Sequence, residues 1–271
     1  MKKNFIRYSL MCGLCVLMLY GCYGCFPLEP SKSEEKTRSF VTAFSEPTSF
    51  GMELTNNNNI LLYWSLNWRP NRWVTFRCIG TNGVRYNELV TRYNDLSYNR
   101  VTVFYFLPRM YISNEITSID VISNRDFDAE HPAGTSLAGF VRLLSVSPIR
   151  FIESGYQETF DWHNNYPEDF LRETATFHES IPGHSTTCNG WEPLYPNHFP
   201  ISGVLSELVA NDFRLLGVGG TGLPRNHDDW FFGFLVFDKE PENVGTHRLT
   251  VTIHRTNGRV LSQTIEKTFG E

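Results

Sequence analysis

The chain has 271 residues, and its 24 Lys and Arg stand against 29 Asp and Glu for a net charge of −5. An acidic, mixed-sign surface argues against nucleic acid and against anionic lipid as partners. Aromatic residues make up 14 %, with 21 Phe and 12 Tyr, enough large strand-favouring rings for a core of adequate size.

The first 25 residues read as an address. Lys2, Lys3 and Arg7 form a basic start, residues 10–20 are an apolar run, and the run closes on Leu19-Tyr20-Gly21-Cys22. A basic head, a short apolar core and a small residue before the cut describe a secretory signal peptide. A membrane span is the competing reading, but it needs roughly 20 mostly apolar residues and the second half here holds Gly21, Gly24 and Pro27. An ordinary signal peptide with an incidental cysteine is the third. Leu19 three places before Cys22 resembles the lipobox of bacterial lipoproteins. That resemblance implies cleavage after residue 21 and lipidation of Cys22, whose thiolate is the nucleophile such acylation needs. Two or three acyl chains, at roughly 0.8 kcal/mol per buried methylene, hold durably where one holds only marginally. Loss of residues 1–21 leaves 21 basic against 29 acidic residues, a net of −8.

Residues 22–38 are polar with two prolines and read as the lipidated terminus and a flexible tether. Residues 39–271 are expected to form the folded body, one β-sandwich-type domain or two subdomains. Strands are expected at 39–44, 51–54, 60–66, 73–79, 101–106 and 116–123, with a turn at 56–59 and another at Thr81-Asn82-Gly83. Two short helices are expected, 137–144 capped by Thr135 or Ser136 and 203–210 capped by Ser202. Residues 124–134 and 185–200 read as loops. Residues 231–237 are apolar on both faces, which suits a central strand. Leu249, Val251 and Ile253 alternate with Thr250, Thr252 and His254, and Asn257-Gly258 then predicts a type I′ hairpin turn into 260–268. The fold class expected is all-β, mainly β with short helices, as an immunoglobulin-like or related β-sandwich.

Chemistry-bearing motifs are few. Of the cysteines kept after cleavage, Cys78 and Cys188 are left for a disulfide in an oxidising compartment; two buried free thiols are the equal alternative. His178-Glu179-Ser180-Ile181-Pro182-Gly183-His184 resembles the HExxPGH segment of large, mainly helical zinc peptidases. The resemblance implies zinc held by His178 and His184, with Glu179 activating water. Pro-Gly punctuation and the lack of a helical scaffold favour a structural loop, so no metal, cofactor or catalytic residue is expected. Asp126, Asp128 and Glu130 alternate without the EF-hand glycine and read as a solvated acidic turn. His227-Asp228-Asp229 reads as a polar turn, and His163 and His198 have no partner at a readable spacing.

The anchor segment, residues 116–123, the turn His131-Pro132-Ala133-Gly134-Thr135-Ser136-Leu137, Phe151-Ile152-Glu153-Ser154-Gly155-Tyr156, Leu205-Ser206-Glu207-Leu208 and the 231–237 run together resemble an uncharacterised lipoprotein family of Bacteroidetes, one with a domain of unknown function. The resemblance implies an envelope lipoprotein with a β-rich domain and brings no activity. Three functions are therefore expected in order: non-enzymatic binding of a protein or glycan at the cell envelope, zinc-dependent hydrolysis at His178-Glu179-His184, or a structural subunit of a surface assembly. Surface-exported lipoproteins of that phylum resemble one another in acidic residues just after the modified cysteine; here the first acid is Glu29, so the resemblance implies the periplasmic face of the outer membrane.

Overall fold

A computed structural model describes residues 34–65, 73–77, 83–103, 110–113, 115–162, 164–165, 167–169, 197–216 and 229–270. The chain divides into two compact units. In the first, a two-stranded pairing joins β1 (Glu34–Thr37) to β6 (Arg100–Val103). The segment read as tether thus ends in a short strand.

The second unit carries three sheets. The largest runs in the order β10 (Phe199–Val204), β9 (Val141–Ser147), β11 (Asp229–Phe237), β4 (Ile60–Ser65), β3 (Gly51–Leu54), each pair antiparallel. A second antiparallel sheet runs β13 (Val260–Phe269), β12 (Gly245–Arg255), β8 (Ile116–Ser123). In the third, β2 (Ala43–Pro47) pairs antiparallel with β5 (Trp73–Arg77) and parallel with β7 (Met110–Ile112). The chain is mostly β, as its composition implies.

Apolar spacing explains which faces meet. On β12, Leu249, Val251 and Ile253 are fully buried and alternate with more exposed Thr250, Thr252 and His254. Ile60, Leu62 and Trp64 of β4, with Val141, Leu143 and Phe232, share one buried cluster with Ile119, Val121, Leu249, Val251 and Ile253. The five-stranded and three-stranded sheets therefore contribute to the same core. Leu61, Leu144, Val146, Phe234 and Val236 fill a separate cluster with Trp162. On β11 a register shift at Gly233 sends Phe232 and Leu235 to the first cluster and Phe234 and Val236 to the second, so β11 is the covered central strand that residues 231–237 predict.

The third cluster gathers Phe40 and Phe44 with two helices. Helix α1 (Gly83–Arg92) buries Tyr86, Leu89 and Val90 at i, i+3 and i+4. Helix α2 (Ile149–Glu153) buries Ile149, Phe151 and Ile152. Between them lies Asp95, fully buried, whose carboxylate accepts hydrogen bonds from the Phe40 N–H (2.7 Å), the Val41 N–H (2.8 Å) and the Tyr156 hydroxyl (2.9 Å). Burial and the Asp95 charge push the Tyr156 phenol up to about 12.

Several local expectations are corrected. Gly83 opens α1 where a turn was expected, because the Tyr86-Leu89-Val90 stripe makes a helical face. The helix expected at 137–144 is instead a turn followed by β9, and the one expected at 203–210 is the end of β10 followed by a turn. Short apolar runs suit a buried strand as well as a helix, and sheet pairing decides between them. The terminal hairpin forms, but its turn is not type I′, and the pairing of Thr250 with Thr264 is one residue away from the register a two-residue Asn257-Gly258 turn would set. Gly258 (φ +76°) has positive φ and Asn257 does not, and Gly258 N–H donates to Arg255 O at 2.9 Å. This is a three-residue loop closed by a left-handed glycine. On β8 a register shift opposite His254 and Arg255 returns Ile116 to the buried side with Ile119 and Val121.

Gly233 shows how close the central strands lie. A β-carbon there would sit 2.9 Å from both Leu143 Cδ1 and the Leu144 carbonyl oxygen. Gly233→Ala is expected to lower stability by about 1–3 kcal/mol, read from the midpoint of urea unfolding.

Candidate functional site

β8 and β12 run antiparallel with Leu249 opposite Ser123, so the end of one strand and the start of the other lie together. The polar residues just outside each strand form an open groove of about 590 Å³, lined by Asn124, Arg125, Asp126, Ala133, Glu242, Asn243 and Val244. Its volume is that of a small-molecule site.

Buried His247 braces the groove from beneath. Its Nε2 faces the Asn243 carbonyl oxygen at 3.2 Å, and a carbonyl only accepts, so Nε2 carries the proton. Nδ1 then accepts from the Ser123 hydroxyl at 2.8 Å, and Ser123 Oγ in turn accepts the Arg125 N–H at 3.1 Å. The Phe127 and Phe269 rings pack edge-on against the imidazole. Ser123 is only 2 % exposed, so its hydroxyl is not presented to the groove as a nucleophile. The pair positions the rim.

Hydrogen bonds to the flanking strands and turns hold the rim residues. Asn124 Oδ1 accepts the Arg248 N–H at 2.7 Å, Arg125 Nη1 donates to Thr246 O at 3.2 Å, and Asp126 Oδ1 accepts the Ala133 N–H at 2.7 Å. The Glu242 N–H donates to Phe127 O at 2.8 Å. Such anchoring orients the Asn124, Arg125 and Asp126 side chains before anything binds.

The acidic turn is occupied by its own loop. Asp128 accepts the Glu130 and His131 N–H groups, His131 Nδ1 at 2.6 Å and Lys239 Nζ at 2.5 Å. These donors, Lys239 first, hold the Asp128 carboxyl far below the usual carboxylate range despite its partial desolvation. A carboxyl whose pKa is lower folded than unfolded stabilises the fold above its unfolded value near 4 and loses that contribution as pH falls. The melting temperature of Asp128→Asn is therefore expected to lie below wild type at pH 7 and to converge with it toward pH 2. A constant difference between pH 7 and pH 2 would contradict the assignment.

Among the described residues, no group of three His, Cys, Asp or Glu side chains is arranged to hold a metal ion. Cys22, Cys78, Cys188, His163, His178, Glu179, His184, His227 and Asp228 lie outside the described residues. His198 bonds through Nε2 to the Tyr111 hydroxyl at 2.7 Å, and its carbonyl accepts the Trp162 indole N–H. Sequence reasoning missed Asn124, Arg125, Glu242, Asn243 and His247. The available signal was two polar turns flanking strands that pair, and the pairing itself is invisible along the chain.

No protein-family model, curated protein or solved structure matches the chain. No helix among the described residues is long and apolar enough to cross a membrane.

Proposed function

We propose that this chain is a lipid-anchored protein of the bacterial cell envelope whose β-rich body binds a protein or glycan rather than transforming a substrate. The observation that carries the reading is Leu19-Tyr20-Gly21-Cys22 at the end of a short apolar run behind Lys2, Lys3 and Arg7. Acyl chains on Cys22 hold the protein at the outer membrane's periplasmic face, and residues 26–33 space the body from it. Kinship with the Bacteroidetes lipoproteins belongs to the same proposal. A core shared by a five-stranded and a three-stranded antiparallel sheet supports an immunoglobulin-like or related β-sandwich. The open, braced, polar groove beside β8 and β12 supports binding.

The experiment is detergent phase partition of the full chain and of Cys22→Ser, expressed in a bacterial host. The wild-type chain is expected in the detergent phase and the variant in the aqueous phase. Identical partition of the two would refute the anchor.

A further inference from the structure

We infer that the groove at the ends of β8 and β12 takes a neutral or amino-bearing saccharide; this rests on the binding role proposed above and names its ligand class. Anchoring leaves several polar atoms over. Asn124 is tied by its oxygen, so its Nδ2 amide is left over for donation. Arg125 is tied through Nη1 to one carbonyl, which leaves other guanidinium donors. Asp126 is tied through Oδ1, leaving Oδ2 as an acceptor. The Glu242 carboxylate and the Asn243 side-chain amide make no hydrogen bond among the described residues, and both residues are exposed. The groove therefore mixes free donors with free acceptors on planar groups.

A hydroxyl both donates and accepts, and neighbouring hydroxyls on a sugar ring bridge the paired atoms of the Glu242 carboxylate, the Asn243 amide and the remaining Arg125 guanidinium donors. Charge narrows the class further. One guanidinium against two carboxylates leaves the lining at −1, which disfavours an anion and accepts a neutral or cationic ligand. Val244, 59 % exposed, offers an apolar surface for the C–H face of a ring.

The test is saturation-transfer NMR on the full chain in a sugar-free zwitterionic detergent. The probes are glucose, galactose, mannose, N-acetylglucosamine and glucosamine, with glucuronate as the anionic counterpart. At least one of the five is expected to receive saturation, with glucuronate weaker than glucose. In Glu242→Ala/Asn243→Ala binding is expected to fall by about tenfold or more, as the loss of two hydrogen bonds implies, with an unchanged melting temperature. Silence from all five sugars, equal binding by the double variant, or preference for glucuronate would each overturn the assignment. An acylated Cys22 with no sugar signal overturns the ligand class alone. Sugar binding by an acyl-free chain overturns the anchor and leaves the ligand class standing.

Discussion

Asp95→Ala is expected to lower stability by about 3–5 kcal/mol, among the largest effects of any single substitution in the described chain. The carboxylate is fully buried and accepts from two backbone amides and a phenol that reach it from separate parts of the sequence. Removing it leaves three donors without that acceptor, at roughly 1–3 kcal/mol for each buried group that water cannot reach. The contacts are long-range: 55 residues separate Asp95 from Phe40, and 61 separate it from Tyr156. It thus joins the start of the second unit to the turn after α2. Tyr156→Phe deletes one of the three bonds and is expected to cost about 1–2 kcal/mol. Urea unfolding at constant m-value checks both, and a loss below about 1 kcal/mol for Asp95→Ala would show the carboxylate to be replaceable.

Phe232→Ala is the second large effect, expected at about 3–5 kcal/mol. Phe232 is fully buried in the cluster shared by the two antiparallel sheets, with its ring stacked on Trp64 at 4.2 Å between centroids and 16° between planes. Truncation removes the transfer energy of the ring and leaves a cavity, because strands fixed by β4 and β9 on either side cannot collapse inward. Phe232→Leu fills most of that space and is expected to cost less than half as much. Trp64 is one of six tryptophans, and its share of the emission reports the same event. The indole is 1 % exposed, and a native-state emission shift toward the red in Phe232→Ala would show that water has entered beside it. Unchanged emission and a loss under about 1.5 kcal/mol would mean the core repacks.

Strands were legible where one face is wet. The alternation of Leu249, Val251 and Ile253 with threonines gave β12 and its partner directly, and residues 116–123 coincide with β8. Fully buried strands were not separable from helices. Val141, Leu143 and Leu144 sit on a strand covered on both faces, so no period of two survives to distinguish it. Helix α1 was overlooked for the opposite reason: Asn82-Gly83 carries a turn signature that draws attention from the Tyr86-Leu89-Val90 stripe behind it. The groove depends on strand pairing across more than 100 residues, as Ser123 and His247 illustrate, and no local pattern carries that information. Of the acidic residues singled out along the chain, Asp128 proves to cap its own loop, and Asp126 both caps that loop and lines the cleft beside unremarked Asn124 and Glu242.

Intact-mass analysis of the N-terminal peptide from membranes of a bacterial host tests the central claim most directly. The expected peptide starts at Cys22 and carries the added mass of at least two acyl chains. A peptide that retains Met1, or one that starts at residue 22 without acyl mass, would contradict it.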